Sequence, residues 1–166
     1  MDQQTFSLMY SSKGQEWYTP LDLYRKLNDE FHFTTDPCAE PTNRLECKVF
    51  YTKLDDGLSK EEWPAGNVFV NPPYGKKGKG PEWVKRCVNH AAQGLGTVVM
   101  LIPARTDTRW FHDFIWQKPN VEIRFIRGRL KFDNPDHKLN TAPFPSMIVV
   151  FRPWDNNNNN KWRSKK

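Results

Sequence analysis

From residue 19 to residue 151 the apolar positions switch between helical and strand spacing, with prolines and glycines marking the switches. Leu23, Tyr24 and Leu27 share one face of a segment that Thr19 can cap and Pro20 can open, which predicts a helix over about 20–28. Residues 31–39 form a short β-prone run that stops at Asp36-Pro37. Residues 48–52 read as a second strand, with Asp55-Asp56-Gly57-Leu58 as the turn after it. Residues 81–93 place Trp83, Val84, Cys87, Val88 and Ala91 at helical spacing, so that stripe is core. The run Val98-Val99-Met100-Leu101-Ile102 does not alternate and suits a strand buried on both faces. Residues 108–117 predict another helix, ended by Pro119, and residues 121–125 and 147–151 two more strands with Gly128-Arg129 between them. The polar stretch 133–143 is too long for a tight hairpin and reads as a loop. Strands alternating with helices predict an α/β fold: an open sheet with helices on both faces, finished by an antiparallel pair at its C-terminal end.

One apolar run ends abruptly. Val68-Phe69-Val70 is followed by Asn71-Pro72-Pro73-Tyr74-Gly75. Neither proline donates a backbone N–H, and Pro72 keeps Asn71 out of helical geometry, so the strand stops in a stiff turn at its carboxyl end. In open α/β sheets that edge is where ligands bind. The chemistry that wants such a turn is methyl transfer to an exocyclic amino group, whose lone pair is delocalised into its ring and is a poor nucleophile. The Asn71 side-chain oxygen and the Pro72 carbonyl can each accept one N–H and draw that nitrogen towards tetrahedral geometry, stabilising positive charge as it develops. Tyr74 can stack on a base that has left its duplex. A proline-rich surface turn without function is the alternative.

Composition narrows the field. A chain of 166 residues is room for one domain with a real core, and 37% hydrophobic and 14% aromatic residues, seven of them Trp, are globular proportions. No apolar run approaches the length of a membrane span and no charged-then-apolar leader opens the chain, so a soluble intracellular protein is expected. Cys38, Cys47 and Cys87 lack paired spacing and the four histidines are scattered, so free thiols and no metal are expected. The net charge of +6 favours a polyanionic partner, although part of it belongs to an Asn-rich basic tail over 154–166.

The turn at Asn71 resembles the catalytic motif of amino-methyltransferases that use S-adenosylmethionine. Trp17-Tyr18-Thr19-Pro20 resembles the motif of those enzymes that holds the methionine end of the cofactor. With Asp36-Pro37-Cys38-Ala39, Asp56-Gly57-Leu58, the stretches 101–111 and 128–132, and Ala142-Pro143-Phe144-Pro145-Ser146, the ordered set is similar to the phage-type, Dam-like DNA N6-adenine methyltransferases. The resemblance covers about residues 14–153, leaving 1–13 as an arm and 154–166 as a tail. It implies a Rossmann-like fold, S-adenosylmethionine as cofactor, double-stranded DNA as partner, and a cytoplasmic phage or prophage protein acting in a bacterial host.

For the sites, the resemblance implies Asn71, Pro72, Pro73 and Tyr74 as the catalytic set. It implies cofactor contacts from Trp17, Tyr18, Thr19, Pro20, Asp36, Pro37, Cys38, Ala39 and Asn71. Asp36, an acid at a strand's carboxyl end, can face the ammonium of a bound amino acid. Asp55 or Asp56, just past the next strand, can hold a ribose or adenine amino group, or form only a solvated turn. Relatives carry a glycine-rich loop after the Asp-Pro-Cys-Ala stretch, whereas this chain continues Glu40-Pro41. The short distance from Asp36 to Asn71 implies a trimmed sheet in which one helix or strand has become a loop. Lys76, Lys77 and Lys79, on a glycine-rich loop beside the proposed pocket, can follow phosphates without reading sequence. Arg105, Arg129, Lys131, His137 and Lys138 are the other DNA-binding candidates, the last two in the loop proposed to meet bases in the groove. Two further function classes stay open at this point: a protein-glutamine N5-methyltransferase, and a noncatalytic nucleic-acid-binding protein with a decayed cofactor site.

Overall fold

The computed structural model describes residues 17–75, 78–134 and 140–154. In chain order the elements are α1 (Leu21–Phe31), β1 (Thr35–Ala39), β2 (Val49–Thr52), β3 (Val68–Val70), α2 (Gly80–Ala92), β4 (Val98–Pro103), α3 (Arg109–Phe114), β5 (Val121–Phe125), β6 (Lys131–Phe132), β7 (Asn140–Thr141) and β8 (Ser146–Phe151). Six strands form one open sheet in the order β2-β1-β3-β4-β8-β5. The first four are parallel, and β8 runs antiparallel to both β4 and β5.

Burial explains the absence of alternation in the central strands. Val68, Val70, Met100 and Ile102 pack beneath α2 and α3 on one face of the sheet, while Phe69, Val99 and Leu101 pack beneath α1 on the other. Both faces are covered, so β3, β4 and β8 carry apolar residues at nearly every position. Truncating one of these side chains, such as the fully buried Phe69, costs about 3–5 kcal/mol. The edge strand β5 is guarded by charge: Arg124 pairs with Glu30 of α1 and with Glu122, which also meets Arg152.

Several predicted boundaries move. Helix α1 begins at Leu21, with Pro20 extended at the cap position, and runs to Phe31, beyond the expected end. Thr19 does not cap it, because no side-chain cap bond forms and the Thr19 hydroxyl is used elsewhere. Asn28 ends the helix: its side-chain oxygen accepts from Phe33 N at 2.8 Å, and its carbonyl accepts from His32, which sits at φ 52. Strand β1 starts only at Thr35 and continues through Pro37 rather than stopping there. Pro37 has no N–H for the ladder, and the register with β2 shifts between Asp36 and Ala39. Helix α3 stops at Phe114, where Ile115 N and Trp116 N both turn to the Phe111 carbonyl and Gln117 takes a positive φ.

One feature was not legible in the pattern. Residues 140–141, inside the stretch read as one long loop, pair with residues 131–132 just before it as a small antiparallel ribbon, and Tyr18 joins it through paired backbone bonds to Asp133. The connections over 40–48 and 53–67 contain no helix, in keeping with a trimmed sheet. Trp63, 1% exposed, fills the space left in the second connection and donates Nε1–H to the Gly57 carbonyl at 2.9 Å. Among the described residues no helix is long and apolar enough to cross a membrane.

Candidate active site

Because β5 and β4 both run antiparallel to β8, the carboxyl ends of β1, β3, β4 and β5 lie at one edge of the sheet, together with the start of β8. The turn after β3 occupies the middle of that edge. Pro72 is buried, Pro73 exposed, and Asn71 and Tyr74 half-buried.

The carboxamide of Asn71 is fixed on both sides. Its Nδ2 donates to the Trp17 carbonyl at 2.8 Å and to Thr19 Oγ1 at 3.0 Å, while its Oδ1 accepts the Tyr74 hydroxyl at 2.7 Å. A carbonyl can only accept, so the amide nitrogen must face Trp17 and the oxygen must face Tyr74. The Tyr74 hydroxyl also lies 3.0 Å from the Leu101 carbonyl, and its single proton is shared between the two acceptors. Burial pushes this phenol well above its ordinary range, so it stays a neutral donor. The oxygen expected to receive the target amine is therefore partly engaged by Tyr74, with a second lone pair free by chemistry. The Tyr74 ring stands edge-to-face with Phe132 and Phe144, and the same two rings pack against Trp17.

The first two sets of expected cofactor residues meet here. Thr19 is 2% exposed, with Trp17, Tyr18 and Pro20 half-buried around it. Asp36, also 2% exposed, is the second residue of β1 rather than an acid at its carboxyl end, because the strand continues through Pro37 to Ala39; it lies next to β3, and one of its oxygens accepts from Cys38 N at 3.0 Å. Burial, helped by the charge of Glu40 and opposed by the Cys38 bond, pushes the Asp36 carboxyl up to about 7. Pro37 and Ala39 are buried and Cys38 half-buried beside it. A buried carboxyl so poised gains from a cation, which fits the ammonium of S-adenosylmethionine.

Asp55 behaves differently. Its carboxylate accepts both the backbone N–H and the hydroxyl of Thr52 at 2.8 Å, closing its own turn, and those bonds lower its pKa. Asp56 is exposed at φ 49. The turn is nonetheless drawn to the site, because Gly57 sits so close to β1 that a Cβ there would run into the Pro37 carbonyl.

A family model for DNA N-6-adenine-methyltransferase (Dam) matches residues 7–165, nearly the whole chain. The chain belongs to the Dam family. It is a DNA methyltransferase that uses S-adenosylmethionine and acts on adenine N6. No curated protein sequence matches it. Among solved structures it is similar to the crystal structure of a SAM-dependent O-methyltransferase from Thermotoga maritima, with 11% identity, 90% of this chain and 71% of that chain covered, and a TM-score of 0.47, a likeness too loose to bear on mechanism.

The basic residues named as DNA-binding candidates that are described all follow strands that end at this edge. Lys79 follows β3, Arg105 follows β4, and Arg129 and Lys131 follow β5, all exposed. Gly78 lies close against the turn after β3, since a Cβ there would strike the Pro73 carbonyl. Lys76, Lys77, His137 and Lys138 lie outside the described residues. No group of three or more His, Cys, Asp and Glu suited to a metal occurs among the described residues. The sequence reading missed Arg44, which donates to the Thr19 carbonyl at 2.7 Å and pairs with Asp133, and Phe132, fully buried beneath Trp17 and Tyr74. No spacing marks Arg44, whereas the apolar Phe132 between Lys131 and Asp133 was a signal of inward alternation.

Proposed function

We propose that the enzyme methylates adenine at particular sites in double-stranded DNA after the base has swung out of the helix, with Asn71 and the Pro72 carbonyl as the paired acceptors of its amino group. The observation that carries this reading is the carboxamide of Asn71, held by Trp17 and Thr19 so that its oxygen cannot exchange places with its nitrogen. Preorganised acceptors act without reorienting at the moment of reaction. S-adenosylmethionine supplies the electrophilic methyl group. Residues 17–20, with Asp36 and the neighbouring Pro37, Cys38 and Ala39 of β1, hold it. Asp56 is the better placed of the two acids after β2 to meet a ribose or adenine, because the Asp55 carboxylate is spent on Thr52.

Tyr74 has two tasks in this reading. Its ring stacks on the extruded base, and its hydroxyl falls back on the Leu101 carbonyl once the target amine takes Asn71 Oδ1. The amine loses its proton to solvent after the methyl has transferred. Lys76, Lys77, Lys79 and Arg105 follow the phosphates, while Arg129, Lys131, His137 and Lys138 meet the duplex from the β6–β7 side. Residues 14–153 form the catalytic domain, acting in the cytoplasm of a bacterial host, with 1–13 and 154–166 as appendages. Incubation with labelled S-adenosylmethionine and either duplex DNA or total protein tests the reading. Label in DNA, recovered as N6-methyladenine, is expected; label in protein glutamine overturns it.

A further inference from the structure

Residues 17–19 form no helix and make only a single bridge, yet they carry the carbonyl and hydroxyl that fix Asn71. Their inner side is held by Asn71, and their outer side by Arg44. Arg44 lies in the connection from β1 to β2, and its side chain is 20% exposed. One arm of its guanidinium donates to the Thr19 carbonyl at 2.7 Å and lies 3.8 Å from Glu40, while the other pairs with Asp133. Its centre is 6.0 Å from the Tyr18 ring. Asp133 in turn exchanges backbone bonds with Tyr18 at 3.0 and 3.1 Å. A single planar fork thus joins the loop after β1, the 17–20 segment and the β6–β7 ribbon.

We propose that Arg44 is a positioning residue for the cofactor site. It clamps residues 17–20 against the end of β1 and ties down a connection that contains no helix. The fork geometry matters, because a lysine ammonium on a flexible stem cannot span the carbonyl and the carboxylate in the same fixed plane. The inference rests on the reading that residues 17–20 hold the cofactor, so its test separates the two.

Initial rates are measured with S-adenosylmethionine varied at saturating duplex DNA, alongside calorimetric titration of S-adenosylmethionine into the protein alone. Arg44→Ala is expected to raise KM for S-adenosylmethionine, and weaken its binding, about ten- to hundredfold, the usual cost of a charge-assisted hydrogen bond. Saturated kcat should stay within about twofold and KM for DNA should not change, a split that general loosening of the fold would not give. Arg44→Lys, which keeps the charge facing Asp133 and Glu40 and so preserves folding, should show an intermediate rise. Thr19→Val reports on the segment itself and should also raise KM for S-adenosylmethionine. If Thr19→Val raises it while both Arg44 variants keep the parent value, the clamp is wrong and the segment's role stands. If none of the three changes it, the segment's role fails as well. A fall in kcat at unchanged KM overturns the clamp.

Discussion

Asn71→Asp distinguishes a carboxamide that must donate as well as accept from one that only accepts. The substitution is nearly isosteric and keeps Oδ1, and a carboxylate is a stronger acceptor than an amide. An acceptor-only role therefore expects activity equal to the parent or higher. The structure expects a loss, because Nδ2 donates to the Trp17 carbonyl at 2.8 Å and to Thr19 Oγ1 at 3.0 Å. The Thr19 hydroxyl can turn and donate to the new oxygen, so that bond is largely recovered. The Trp17 carbonyl cannot turn donor. It is left facing a carboxylate, which costs about 1–3 kcal/mol for the unmet acceptor, with repulsion between the carbonyl dipole and the carboxylate added. About 2–3 kcal/mol taken from the cofactor segment weakens S-adenosylmethionine by roughly 30- to 150-fold. The sign of the pH dependence follows. Protonating the introduced carboxyl restores a donor to Trp17, so its folded pKa is raised, the repair is complete below the unfolded carboxyl range, and it is lost as pH rises through the folded value. Calorimetric titration of S-adenosylmethionine at several pH values, against the parent, checks both size and sign. Parent-like affinity and rate at pH 8 would refute the donor role of Nδ2.

Three further outcomes are expected. Tyr74→Phe keeps the ring among Phe132 and Phe144 and should retain most activity, whereas Tyr74→Ala loses roughly 1–3 kcal/mol of stacking and should be much slower in single-turnover assays. Asp36, with its carboxyl pushed up to about 7 by burial, binds an ammonium best when ionised, so S-adenosylmethionine affinity should rise as pH goes from 6 to 8, and Asp36→Asn should remove that rise in calorimetry. Replacing Lys76, Lys77 and Lys79 with Ala should weaken binding to all DNA sequences alike and flatten the salt dependence by roughly one unit for each phosphate no longer neutralised; a changed sequence preference at an unchanged slope would assign the loop to base reading instead.

The sheet was largely legible because its central strands are buried on both faces and leave unbroken apolar runs, as in 98–102 and 147–151. The turn after β3 was legible for a different reason: two prolines leave the chain little choice after Val70. Thr19 was misread because a threonine before a proline satisfies the local rule for a cap, while its hydroxyl is claimed by Asn71, which is 52 residues away in the chain. Pro37 misled in the same way, since a proline normally ends a run, yet β1 passes through it with a shifted register. Arg44 could not be found at all from sequence. Its partners, Thr19 and Asp133, are 25 and 89 residues distant, and no local pattern encodes such a meeting.

The most direct test of the mechanism is single-turnover methyl transfer by Asn71→Ala at saturating S-adenosylmethionine and duplex DNA, which removes the weakened cofactor affinity from the comparison. Losing one preorganised acceptor should slow transfer by about two to three orders of magnitude, with DNA affinity unchanged and the residual product still N6-methyladenine by mass spectrometry of digested nucleosides. An Asn71→Ala enzyme as fast as the parent would contradict the paired-acceptor mechanism, and N4-methylcytosine as product would contradict the target it is built for.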